Sequence, residues 1–150
     1  MLDAANPEIS RKDWMAVLAK APVDLLAEQY EKLGPEPGFD WLRVPEIGTV
    51  MVRGRAGGTG APFNLGEMTV TRCSVKLVCG TVGHGFVQGR RKTCAEASAL
   101  VDALMQTDRS ENAAGAVLAP LEAEETARRE KRARKAAATK VEFFTMVRGE

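Results

Sequence analysis

An α+β fold is predicted for this chain by three features of its sequence. Apolar residues recur at helical spacing in the first third, extended runs broken by glycines fill the middle, and helical periodicity returns near residue 93. The expected order is N-terminal helices, an antiparallel β-sheet meander, C-terminal helices and a short terminal apolar segment. The chain has 150 residues, 45% of them apolar, which is the usual size of one domain, and residues 1–150 are read as such. A chain of this length buries roughly 70% of its unfolded surface without help from disulfides or metals.

The elements follow in order. Ser10 with Asp13 three residues on resembles a capping box, and Trp14, Val17 and Leu18 continue at helical spacing. Pro22 suits the first turn of a second helix striped by Leu25, Leu26, Tyr30 and Leu33, which Gly34 and Pro35 end. From residue 39 the period changes: Trp41, Leu42 and Val44 open an extended run, and Val50 and Val52 alternate with Thr49, Met51 and Arg53. Residues 57–62 form a loop by composition. The clearest strand is 68–79, with Thr69, Thr71, Cys73, Val75 and Leu77 on one face and a mixed face, including Arg72, to meet solvent or a partner. A turn around Gly80 leads to a strand over 82–87, so short glycine turns join sequential strands as in a meander.

Thr93 and Glu96 form a second capping-box pattern, followed by the stripe Ala97, Leu100, Val101 and Leu104; residues 108–112 read as a loop. A helix over 121–139, about 28 Å long, places acids before bases as its macrodipole favours. Glu124–Arg128, Glu125–Arg129 and Glu130–Arg134 are its i,i+4 pairs. Its apolar surface is alanine, after which Phe143, Phe144, Met146 and Val147 crowd into a tail. Two phenylalanines left in water forgo about 1.5–3 kcal/mol each, so the tail is expected to find a surface. Phe143, Phe144 and Met146 are docking candidates, and Arg148 is available to a carboxylate or phosphate; the other reading is an edge strand inside the domain.

Composition narrows the function. A net charge of +1 gives no global field for nucleic acid or anionic membrane. No apolar run reaches the 18–20 residues of a spanning helix, and the opening MLDAANPEIS lacks a signal-peptide pattern, so a soluble, cytoplasmic protein is expected. Cys73, Cys79 and Cys94 are read as small buried apolar side chains, and with a single histidine no metal site is expected.

Few segments suggest chemistry. Gly57, Gly58 and Gly60 are read first as a hairpin loop and second as a phosphate cradle, since neither a Walker A nor a dinucleotide fingerprint is present. Gln88, Gly89, Arg90, Arg91 and Lys92 set three cations and an amide between a strand end and a helix start. Of these, Gln88, Gly89, Arg90 and Lys92 are the candidates for a triphosphate or phosphonate, or for carboxylates of another subunit. His84 has no partner identifiable from spacing and is read as an ordinary strand histidine. The cations of 128–135 share their helix with glutamates and lack interleaved aromatics, which favours a solvated or partner-facing helix.

Several stretches together carry a family resemblance. They are DWM-x-VL at 13–18, GGTG at 57–60, GEMTVTR at 66–72, GTVG at 80–83, VQGR at 87–90, ALVDALMQ at 99–106, LAPL at 118–121 and FFTMVRG at 143–149. Nearly the whole chain thus resembles the PhnG family, small subunits of the bacterial phosphonate carbon–phosphorus lyase system. The resemblance implies a non-autonomous subunit of a transferase assembly with PhnI, PhnH and PhnL. That assembly displaces adenine from ATP with a phosphonate, giving α-D-ribose 1-methylphosphonate 5-triphosphate, and a separate iron–sulfur subunit then breaks the carbon–phosphorus bond. ATP is then a substrate of the complex, no cofactor belongs to this chain, and the nucleosidase chemistry is assigned to PhnI. The family supplies no established catalytic residue to carry over. The alternative is a stand-alone nucleotide- or phosphate-binding enzyme using the 57–60 loop and the 88–92 segment.

Overall fold

The computed structural model describes residues 9–141. The tail candidates Phe143, Phe144, Met146 and Arg148 therefore lie outside the described residues. Within them the chain is α+β. Helices α1 (Arg11–Lys20) and α2 (Val23–Glu31) precede strands β1 (Phe39–Arg55), β2 (Pro62–Leu77) and β3 (Val82–Gln88). Helix α3 (Lys92–Leu104) and a short α4 (Ser110–Ala113) follow, then a π-helical turn over Ala114–Leu118 and α5 (Ala119–Ala138).

Local chemistry sets the helix starts. Ser10 Oγ accepts from the Asp13 N–H at 3.3 Å and its hydroxyl donates to Asp13 Oδ2 at 2.5 Å, a capping box closed through the hydroxyl. Pro22 is the N-cap of α2, one position earlier than expected, in an extended backbone conformation between the two helices. The expected box at Thr93 and Glu96 does not form, because α3 already begins at Lys92. Its entry is held from another strand: Thr71 Oγ1 accepts from the Arg91 N–H at 2.8 Å and donates to Gly89 O at 2.6 Å.

The sheet is the expected meander, antiparallel in the order β1-β2-β3. On β2, Thr71, Cys73, Val75 and Leu77 are buried beneath the helices, together with Val87 of β3. Gly83 and Gly85 of β3 face α3 so closely that a Cβ on either would lie 2.0 Å from a helix carbonyl, Ala99 O and Ala95 O respectively. That contact, glycine strand against alanine helix, seats α3 on the sheet. Leu18, Leu26, Leu100, Leu104, Leu118 and Leu121 fill the space between the helices.

Asp102 ties the layers together. Its carboxylate is fully buried, and all its neighbours donate to it: Arg11 Nε at 3.1 Å and Trp14 Nε1 at 2.8 Å to Oδ1, Arg11 Nη2 at 2.7 Å and the His84 N–H at 2.8 Å to Oδ2. One side chain of α3 thereby fixes α1 and β3. The bond to Asp102 raises the Arg11 proton affinity above its ordinary value.

Three expectations need correction. The loop expected over 108–112 is overtaken by helix from Ser110 onward, because the continuous helical stretch carries Ala113, Val117 and Leu118 into the core. The π turn lies just before Pro120, whose ring and missing N–H do not fit an uninterrupted α-helix. Buried Gln29 of α2 sets its side-chain amide against the Ala116 carbonyl in this turn. Cys73 and Cys94 are buried as expected, whereas Cys79 is exposed in the β2–β3 turn. On α5, Glu125 pairs with Arg129 at 3.8 Å as anticipated, but Arg128 turns to Glu125 and not to Glu124. No described helix is long and apolar enough to cross a membrane.

Candidate functional site

The segment following β3 opens onto a groove of about 330 Å³ between three layers of the fold. Lys20 at the end of α1 and Asp24 in the first turn of α2 form one wall. Gln88 at the end of β3 and Arg91 at the entry of α3 form another, and Arg128 of α5 closes the third side. Gly89, at φ +84, turns the chain between Gln88 and Arg91. The Thr71 hydroxyl then fixes the Arg91 backbone, and Arg91 Nη1 donates weakly to Ala21 O at 3.4 Å.

The groove presents three cations and an amide against one carboxylate, with Glu125 drawing on Arg128 from outside. It offers charge and hydrogen-bond donors, the recognition chemistry of a phosphate-type anion. The structure thus divides the predicted segment. Gln88 and Arg91 line the groove, Gly89 supplies its turn, and the exposed Arg90 and Lys92 do not line it. Lys20 and Arg128 come from sequence positions that gave no hint of convergence.

The glycine loop lies elsewhere. Gly57 and Gly58 hold φ values of +60 and +80 at the tip of the β1–β2 hairpin, and a Cβ on Gly60 would lie 2.8 Å from Ala56 O. The Gly60 N–H donates to Ala56 O and Arg55 Nη1 donates to Gly60 O, so the loop is occupied with its own closure. Val70 pairs with Gln88 whereas Pro62 opens β2 beside the tip. Eight strand residues at about 3.4 Å each separate the two glycine-bearing segments by roughly 27 Å. The fold does not bring together the two segments that the stand-alone enzyme reading uses.

Arg72 is engaged on the uncovered face of the sheet, donating from Nε to Glu46 Oε1 at 2.8 Å, with Arg43 3.5 Å from the same oxygen. Beside it His84 Nδ1 lies 2.8 Å from Ser74 Oγ, a partner that spacing did not identify and that strand register supplies. Among the described residues no cluster of His, Cys, Asp or Glu is arranged to hold a metal ion.

On α2, the Tyr30 hydroxyl is buried without a hydrogen-bond partner, in a cavity of about 210 Å³ that Glu36 and Glu96 also line. Burial, with the two carboxylates, pushes the Tyr30 pKa well above its ordinary value.

Comparison with known proteins agrees with the family resemblance. The family model described as phosphonate metabolism protein PhnG matches residues 9–149. A relative from Rhizobium meliloti (strain 1021), the α-D-ribose 1-methylphosphonate 5-triphosphate synthase subunit PhnG, is 41% identical over 155 residues, covering 100% of this chain and 99% of the relative. The family match and the end-to-end similarity show that the chain belongs to the PhnG family of phosphonate metabolism proteins.

Proposed function

We propose that this chain is a subunit of an α-D-ribose 1-methylphosphonate 5-triphosphate synthase, working in a hetero-oligomer of PhnI-, PhnH- and PhnL-type subunits. The observation that carries the reading is the 41% identity, end to end, with a subunit of that synthase. The assembly's chemistry is a transfer: the phosphonate oxygen attacks the anomeric carbon of ATP, and adenine leaves. Catalytic groups are assigned to another subunit, and the bond-breaking iron–sulfur subunit acts afterwards in the cytoplasm.

Within that assembly the groove of Lys20, Gln88, Arg91 and Arg128 is the part of this chain suited to a triphosphate. Its cations come from separate elements, so folding alone brings them together and an extended polyanion can bridge them. Reconstitution tests both statements. The remaining subunits, incubated with ATP and methylphosphonate, are expected to form the triphosphate product only when this chain is added. Arg91→Ala is expected to raise the apparent KM for ATP with the complex intact. Product formation at the full rate without the chain refutes the subunit reading; an unchanged KM refutes the groove's role alone.

A further inference from the structure

The β1–β2 hairpin extends far beyond the body it belongs to. The two strands pair from Phe39↔Leu77 to Arg55↔Pro62, whereas β3 covers β2 only from Val70 to Lys76. Past Val70 a ribbon of two strands continues for roughly 27 Å, at about 3.4 Å per residue. Two strands without a covering layer are marginal in water. This ribbon and the adjoining part of β1 nevertheless expose Leu42, Val44, Ile47, Met51, Phe63 and Leu65, between 42% and 66% each. Phe63 and Leu65 stand together over Gly54, within 3.9 Å of where its Cβ would be, and form one apolar ridge.

The chemistry of the ribbon selects its occupant. Strand-to-strand addition of a second copy along β1 is opposed by Pro45, which lacks an N–H, and by register shifts at Trp41/Arg43, Arg43/Glu46 and Val52/Arg53. Near the tip Arg53 lies opposite Asn64 and Arg55 opposite Pro62, the ribbon's one carboxylate, Glu67, lies opposite Met51, and neither arginine forms an ion pair among the described residues. Two such cationic tips repel one another, whereas an acidic surface attracts them.

We propose that the β1–β2 ribbon beyond Val70 is an insertion arm, received by an apolar cleft with an acidic rim on another subunit of the synthase. The ridge of Phe63 and Leu65 fills the cleft, and Arg53 and Arg55, on the opposite face of the ribbon, meet its rim. The proposal rests on the subunit reading above and adds the segment that docks.

Hydrogen exchange on the full-length chain, alone and within the reconstituted synthase, tests it directly. Ribbon amides in 50–55 and 63–68 are expected to exchange rapidly in the isolated chain and at least about tenfold more slowly in the complex. The Phe63→Ser/Leu65→Ser and Arg53→Glu/Arg55→Glu variants are expected to unfold at the wild-type temperature yet fail to co-elute with the other subunits. Equal exchange in both states, or normal co-elution of both folded variants, overturns the arm while leaving the subunit reading intact. Protection of the ribbon in a dimer of the chain alone overturns it in favour of a second copy. A wild-type chain that never joins the other subunits overturns the subunit reading and the arm together.

Discussion

Replacing Asp102 with alanine removes the one group that α1, α3 and β3 share. In the native state its two oxygens accept four hydrogen bonds and none of its surface reaches solvent. The Arg11 side chain is 43% exposed and can return to water, so its loss is discounted. The Trp14 indole N–H and the His84 backbone N–H cannot, and each orphaned donor costs about 1–3 kcal/mol. With the volume left empty beside Trp14, the expected destabilisation is about 3–5 kcal/mol, a large share of an ordinary domain's stability. At roughly 2–4 °C per kcal/mol for this size, the midpoint should fall by about 6–20 °C. Asp102→Asn should lose nearly as much, because its NH2 must face donors wherever it is turned. Arg11→Ala should lose less, since water can replace a half-exposed guanidinium. Urea unfolding of the three variants measures this. A loss under about 1 kcal/mol for Asp102→Ala refutes the assignment of Asp102 as the shared anchor.

Gly85→Ala should be among the most damaging substitutions. Its Cβ would meet Ala95 O at 2.0 Å and Cys73 Sγ at 2.9 Å, so α3 must lift off the sheet, and a change of about 3 kcal/mol or more is expected in thermal unfolding. Iodoacetamide should label only Cys79 in the native chain: hydrogen bonds from Thr81 lower its thiol pKa, whereas burial pushes Cys73 up to about 11 and also raises Cys94. Mass spectrometry reads this, and rapid native labelling of Cys73 would contradict it. Burial, then the charge of Glu36, raises the Glu96 pKa, so the folded state holds that proton more tightly than the unfolded state. Stability from this group is therefore greatest below the unfolded value of about 4.3 and declines as pH rises through the folded value. Glu96→Gln should remove that decline in urea titrations at acid and neutral pH; an unaltered pH profile counts against it.

What the sequence made legible was whatever rests on local pattern. The meander followed from alternation and turn glycines, and the stripe Ala97, Leu100, Val101, Leu104 marked the buried face of α3. Elements set by distant partners were not legible. Residues 62–67, with Pro62, Asn64 and Gly66, read poorly as strand, yet they pair with β1, whose ladder overrides their propensity. The cap of α3 comes from Thr71 on another strand, so no spacing near Thr93 encodes it. Asp102 did carry a signal: an acid between Val101 and Ala103 in a buried stripe needs donors from elsewhere. The groove carried almost none. Which of Arg90, Arg91 and Lys92 turns inward depends on the geometry at Gly89, and Lys20 and Arg128 join only through tertiary packing.

The distribution of burial also separates two properties that one stability measurement would merge. The body holds the buried core: α1, α2, α3 and the π turn enclose the inner face of β2 and β3, and Asp102 accepts from Trp14 and the His84 N–H. Two parts extend from it with little core of their own, the ribbon past Val70 and the length of α5 past Leu121, the last buried residue among those described. A two-stranded ribbon and a polar helix gain little from their own burial. Changes in the body should therefore move the unfolding midpoint and leave assembly untouched wherever the chain still folds. Changes at Phe63 and Leu65, or at Arg53 and Arg55, should do the reverse. The glycines of the chain divide along the same line: Gly83 and Gly85 serve the core by letting α3 approach, while Gly57 and Gly58 serve the tip by reversing the ribbon.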